Sequence, residues 1–330
     1  MIDREQLARQ SEENLRAMEG FARLLSKPEG WYTPEEIRAF AADCGLSEKE
    51  ALQTLLAAAL GWEDRGFIAR YLSPALQALN PADTANNPYL RTVHFPQARA
   101  EHWLLTRLSY PPYAPFPCGP SQLLPDGRVI PALGYFEAPF PYPAVLENGR
   151  EWMTVTPNEI ATMKAPIERA HGRVAALGLG LGYFAFMAAR KKEVTQVTVV
   201  ERDPRVIALF QRHLLPQFPC REKIRLAQED AFVFMEKGLP GIDYAFADIW
   251  HDAGDGLPLY LRLRRIEKSW LPLPVDYWIE NEMLLLLRSL FIDDWLSQAG
   301  RLDRQLPDPP DFSLAAIRSL APLVQEIDIR

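Results

Sequence analysis

Apolar side chains recur three or four positions apart from the start of the chain to about residue 80, as at Leu15, Met18, Phe21, Leu24 and Leu25, the period of one buried helical face. Thr33-Pro34-Glu35-Glu36 combines a capping box with proline at the first helical position, and predicts a helix that ends near Gly45. Ser47-Glu48-Lys49-Glu50 predicts the start of the next. From 81 to 150 this period is lost: short extended stretches alternate with turn signals such as Pro125-Asp126-Gly127, and Asn148-Gly149 predicts a hairpin between 144–147 and 151–155. Thr156-Pro157-Asn158-Glu159 opens a further helix, with Ile160, Met163, Ile167 and Ala170 as its apolar stripe. Thereafter strands are predicted at 173–177, 194–201, 223–227 and 243–249, separated by helices at 183–190, 204–215 and 231–237. Such alternation implies right-handed crossovers and a parallel sheet covered on both faces. A helix at 257–270, a fifth strand at 275–280, an amphipathic helix at 281–297 and a last strand at 324–329 complete the expected order.

Composition divides the chain further. Its 330 residues are 48% apolar and 24% charged with a net charge of −7, a globular chain long enough for more than one folded unit. Proline numbers 29, against about 16 at the usual ~5%, and ten lie between Pro111 and Pro143, which excludes a run of helices there. The expected organisation is a helical accessory domain over 1–80, a proline-rich irregular and β-hairpin segment over 81–150, and a Rossmann-like α/β domain over 151–330. Both halves carry more acid than base, so nucleic acid is not an expected partner, and Arg262, Arg264, Arg265 and Lys268 read as a solvated helix face. The acidic N-terminal helices are instead a candidate homodimer surface. No apolar run approaches the ~18 residues that cross a bilayer, and the charged N-terminus lacks a signal-peptide core, so a cytoplasmic protein is expected. Cys44, Cys118 and Cys220 are expected as reduced thiols, and the five histidines show no metal-ligand spacing.

The chemistry-bearing residues gather at predicted strand ends. Gly178-Leu179-Gly180-Leu181-Gly182 joins the first strand to its helix, Glu201 ends the second strand, Glu229-Asp230 follows the third and Asp248 ends the fourth. Parallel strands put all of these on one edge of the sheet, where ligands of such sheets bind. The spacing is GxGxG and not the dinucleotide GxGxxG, since Tyr183 stands at the sixth position and would crowd a pyrophosphate. Asp248, His251 and Asp252 are candidate catalytic groups, with His251 suited to general-base work near neutral pH and Asp252 or Asp255 placed to orient it. Glu280 is a further candidate at the end of the fifth strand, and Trp250 and Tyr183 could wall the pocket.

With this loop and these acids the chain resembles the class I S-adenosylmethionine-dependent methyltransferases over about residues 150–300. The resemblance implies a Rossmann-like S-adenosylmethionine-binding domain in which Gly178, Gly180, Gly182 and Tyr183 form the cofactor loop. It further implies that Glu201 binds the ribose, Asp230 lies beside the adenine and Asp248 floors the reaction site. Methyltransferases usually carry an acid two residues before the first glycine, where this chain has Ala176; its wholly apolar first strand looks more like the spermidine synthase branch. The hairpin and helix upstream resemble that branch too, although His251 replaces its second acid after the fourth strand and Leu181 the acid of its glycine loop. Methyl transfer to a small or medium-sized acceptor is therefore expected, with aminopropyl transfer and a non-catalytic nucleoside-binding protein as alternatives. Asn86-Asn87-Pro88-Tyr89 resembles the NPPY motif of amino-methyltransferases without its second proline or preceding strand. Tyr110, Tyr113, Phe116, Tyr135 and Phe136 are expected to form a lid over the strand ends.

Overall fold

The computed structural model describes residues 4–270, 273 and 275–298, so the predicted last strand lies outside the described residues. Helices Arg4–Leu25, Pro34–Cys44, Glu48–Leu60 and Arg65–Ala75 open the chain. Both predicted capping boxes form, and Gly45 and Gly61 end their helices in the left-handed conformation that glycine adopts without strain. Phe21, Leu24, Leu52, Leu56, Phe67 and Tyr71 are buried together with Tyr113, Ile130, Leu133 and Tyr135, so the helices close their core against strands from further along the chain.

Those strands correct the expectation of an irregular 81–150 segment, because half of it is β-strand. Leu76–Ala78, Val129–Tyr135 and Phe116–Leu123 form one three-stranded sheet in that order. Ala98–Ala100, Trp103–Tyr110, Phe140–Glu147 and Arg150–Thr154 form an antiparallel four-stranded sheet. The prolines fit because each falls where its missing N–H costs little. Pro117 and Pro120 lie on an edge strand, Pro131 falls where the pairing skips from Gly119 to Gln122, and Pro141 and Pro143 precede the stretch of their strand that has partners on both sides. The hairpin turn forms at Asn148 (φ +51°) and Gly149 (φ +81°), as a two-residue turn with two positive φ angles requires.

The parallel sheet has the order Ile224–Gln228, Val194–Glu201, Gly172–Leu177, Tyr244–Ala247, Val275–Tyr277, every pair parallel. Val174, Ala175, Ala176 and Leu177 of its central strand are buried, as a strand covered on both faces requires. The chain reverses its direction of strand addition between Gly172–Leu177 and Tyr244–Ala247, the place where a crevice opens in such sheets. Three elements differ from the sequence reading. The stripe at 160–170 is two helices, Pro157–Thr162 and Lys164–Arg169, because Pro166 cannot donate back to the preceding turn. The helix expected at 204–215 becomes Pro204–Leu209, a π turn at Phe210–Leu214 and a 3-10 turn at Leu215–Gln217, where Pro216 stops α-helical bonding. The fifth strand ends at Tyr277, and Ala253–Trp270 and Glu280–Gln298 are the last described helices. Among the described residues no helix is long and apolar enough to cross a membrane.

Candidate functional site

The loop after the central strand is shaped by three glycines at positive φ: Gly178 (+99°), Gly180 (+50°) and Gly182 (+75°). A side chain at 178 would run into the backbone carbonyl of Asp248, and one at 182 into the Phe210 ring. The Gly178 amide donates to the Val200 carbonyl at 2.9 Å and the Gly182 amide to that of Leu179 at 2.8 Å, which ties the turn to the neighbouring strand and to itself. This turn opens a cleft of about 350 Å³ at the carboxyl ends of the strands, lined by Gly178 and Gly180 together with Glu201, Asp230 and Asp248.

Each acid stands differently. Glu201 accepts the Asp203 amide at 2.8 Å on Oε1 and the Leu179 amide at 3.4 Å on Oε2, and burial raises its pKa. Asp230 caps helix Ala231–Glu236, both bonds (Phe232 amide, 2.9 Å; Val233 amide, 3.2 Å) falling on Oδ1. Asp248 is half-buried, and its enclosed Oδ1 has no hydrogen-bond partner among the described residues. Burial first, and nearby Glu159 second, push its pKa well above the usual carboxylate range. Glu159 is itself buried in the capping box that it forms with Thr156.

The opposite wall comes from the antiparallel sheet: Trp103, Glu147, Trp152 and Met153. Trp103 Nε1 donates to Asp203 Oδ2 at 3.2 Å, and Arg205 grips the same carboxylate at 2.6 Å while its other branch reaches Glu101 at 2.8 Å. The guanidinium pulls the Asp203 pKa down to about 2. Sequence reasoning missed this wall, since nothing local marks a tryptophan some 75 residues before the glycine loop.

Several expected site residues lie off the cleft. Gly182 packs beneath it against Phe210, and the Tyr183 hydroxyl accepts the Asn87 side-chain amide at 3.0 Å within the core. His251 is exposed, held by Asp255 at 2.9 Å, with its ring 4.1 Å from that of Trp152, and so borders the site without lining it. Asp252 caps the following helix by accepting the Gly254 amide at 2.7 Å. Glu280 starts the last described helix instead of ending a strand, and accepts from the Tyr260 hydroxyl at 2.7 Å. Trp250 does line the cleft, with Nε1 donating to the Trp278 carbonyl at 3.2 Å. The aromatic lid is corrected as well. Tyr113 and Tyr135 belong to the N-terminal core, Phe116 and Phe136 to a small cluster with Phe140, and Tyr110 stacks on Phe116 at 3.8 Å; none of these rings lines the cleft, whose aromatic residues are Trp103, Trp152, Phe232 and Trp250.

The lining is electronegative. Glu147, Glu201, Asp203, Glu229, Asp230 and Asp248 face it, and among the described residues Arg202 is the one basic side chain in the lining. Arg205 neutralises Asp203, and Lys237 pairs with Glu229. The balance disfavours a phosphate and favours a cationic ligand.

Matching solved structures overlap the chain in part. They include the spermidine synthase of Thermotoga maritima (13% identity, 45% of this chain, 55% of that one, TM-score 0.32). A protein assigned as a spermidine synthase in Corynebacterium glutamicum matches at 20% identity, over 33% of this chain and 44% of that one, TM-score 0.27. One assigned as an O-methyltransferase in Klebsiella pneumoniae matches at 14%, over 48% and 61%, TM-score 0.26. The chain spans about half the length of these structures. No protein-family profile and no curated protein matches the chain. At such scores the fold rests on the strand order itself, a mixed α/β architecture around a parallel five-stranded sheet.

Proposed function

We propose that the cleft binds S-adenosylmethionine and that the protein transfers its methyl group to a small or medium-sized acceptor. The observation that carries this reading is the convergence of Gly178, Gly180, Glu201, Asp230 and Asp248 on one acid-lined cleft. The volume suits a nucleoside-sized ligand, and the free face of Asp230 and the second lone pairs of Glu201 suit an amine and ribose hydroxyls. When bound, the sulfonium supplies the electrophilic methyl and the leaving group. The protein then has three tasks. Glu201 and the glycine turn fix the nucleoside, Trp103 and Trp152 keep water from the reacting edge, and Asp248, in its carboxylate form and made more basic by burial, takes up the proton that the acceptor releases. His251, paired with Asp255 at the rim, is outside direct reach and acts through Trp152.

The acid excess also supports a second reading, transfer of an aminopropyl group to an amine, because a cationic acceptor would be held by the same carboxylates. Calorimetric titration with S-adenosylmethionine and S-adenosylhomocysteine tests both. Wild-type binding that Glu201→Ala abolishes is the expected result, and silence toward both ligands would sink the proposal. Methylthioadenosine formed from decarboxylated S-adenosylmethionine and putrescine would select the second reading over the first.

A further inference from the structure

The segment Asn86-Asn87-Pro88-Tyr89 has no part in the cleft, yet it hydrogen-bonds the glycine turn. Asn87 is buried, and its Oδ1 accepts the Tyr89 amide at 2.9 Å, fixing the entry into helix Pro88–Thr92. Its Nδ2 donates to the Tyr183 hydroxyl at 3.0 Å. Tyr89 is fully buried and donates its hydroxyl to the Leu181 carbonyl at 2.5 Å, in the middle of Gly180-Leu181-Gly182. Its ring meets those of Tyr183, Phe186 and Phe218 edge-on at 5.4, 5.1 and 6.1 Å. At the far end of the same segment Gln217 holds both the His94 amide and the His94 carbonyl at 2.8 Å. The segment is thus clamped at both ends.

A turn with three glycines at positive φ gains unusual freedom when released, because glycine has the most conformations to lose. A ligand that needs the turn ordered pays that entropy unless the protein has paid it already. We propose that Asn87 and Tyr89 are positioning residues that hold the glycine turn in its ligand-ready shape, with the Tyr89 hydroxyl on the Leu181 carbonyl as the decisive contact. Burial keeps the Tyr89 phenol protonated, so it stays a donor at any working pH. The ring alone does not suffice, since the edge-on packing positions the helix after the turn and the hydroxyl alone reaches the turn itself.

The proposal rests on the cleft being the S-adenosylmethionine site, and its test separates the two. Tyr89→Phe keeps the ring packing and removes the one bond. Tyr71→Phe is the matched control: Tyr71 is equally buried, and its hydroxyl bonds Gln10 at 2.7 Å and Asn14 at 3.0 Å in the N-terminal core. Both variants should lose comparable thermal stability, whereas only Tyr89→Phe should weaken S-adenosylhomocysteine binding, by about tenfold, the equivalent of one good hydrogen bond. Equal affinity in Tyr89→Phe and wild type overturns the proposal. If wild type binds neither ligand, the functional reading fails by itself, and amide hydrogen exchange over residues 179–183 of the free protein decides instead. Exchange about tenfold faster in Tyr89→Phe than in wild type supports the clamp, and unchanged exchange overturns it.

Discussion

Replacing the three loop glycines one at a time by alanine separates what each does, because the methyl group meets a different neighbour at each position. At Gly180 the φ of +50° lies in the left-handed region, which costs a non-glycine residue about 1–2 kcal/mol. The new methyl would come within 2.8 Å of Met153 Cε, the end of a flexible side chain that lines the cleft. Met153 can swing aside, and of the two spaces that it lines the cleft of about 350 Å³ has more room than the adjoining cavity of about 20 Å³, so stability should fall by about 1–2 kcal/mol, a Tm loss of roughly 2–6 °C. Binding of S-adenosylhomocysteine should weaken at least about tenfold, since the displaced thioether occupies ligand volume. At Gly178 the methyl meets the Asp248 carbonyl, a backbone atom that cannot swing, and the φ of +99° lies outside the left-handed basin. Strain of about 1–2 kcal/mol plus overpacking of about 1–3 kcal/mol predicts a loss of about 2–5 kcal/mol. Gly182→Ala should cost as much against the Phe210 ring while weakening affinity less than Gly180→Ala does, because that glycine lies off the cleft and acts on the ligand through the turn alone. Thermal melts paired with calorimetry at a temperature where all variants are folded give both numbers. A Gly178→Ala protein that melts with wild type, or a Gly182→Ala protein that loses binding as Gly180→Ala does, would refute the reasoning.

Two further outcomes follow from the packing around the site. Asp203 has a folded pKa near 2 because of Arg205, below the ~3.9 of an unfolded aspartate. Its contribution is therefore present above pH ~4 and lost as pH falls through about 2, so urea melts of wild type and Asp203→Asn should differ at pH 6 and converge toward pH 2. A gap that stays constant with pH counts against this pair. Lys191 donates from one ammonium to the carbonyls of Ile167, Glu168 and Ala170, which end helix Lys164–Arg169 beside the central strand. Lys191→Met keeps the stem and should lose about 1.5–3 kcal/mol in urea titrations, the range for a bond to a charged group. A loss below about 0.5 kcal/mol would show that the carbonyls are served equally well by water.

The sheet that carries the site was legible because its strands are local statements. Val194–Glu201 runs as predicted, β-branched at six of its eight positions and ending in an acid, and the capping boxes at Thr33, Ser47 and Thr156 form from four residues each. What failed to show was whatever depends on a partner. Pro131 argues against a strand until the neighbour's register is known to skip at that position. Trp103 looks like any core tryptophan until Asp203, 100 residues later, accepts its indole N–H. Tyr183 satisfies the sequence spacing of a cofactor loop, yet its side chain is drawn into the core by Asn87 and Tyr89, residues that the spacing cannot see. The site was thus readable on its glycine and strand-end side and silent on the side built from residues 101–153.

The missing acid at Ala176 looks different once its surroundings are in place. Ala176 is buried in the central strand and lines, with Asp248, Met153 and Tyr183, a small cavity that adjoins the cleft. Asp248 is already there without a partner, and Glu159 is near enough to raise its pKa further. A carboxylate at 176 would be a third buried acid in a space where no lysine or arginine lines the wall, and uncompensated buried charge costs several kcal/mol per ion. The alanine and the partnerless Asp248 are therefore one arrangement: the small cavity keeps one lining acid, and this chain places it at the end of the fourth strand and not of the first. An Ala176→Asp chain would gain a carboxyl in the central strand only at the expense of the fold, whereas Ala176→Asp combined with Asp248→Ala moves the single carboxyl across the cavity and should fold.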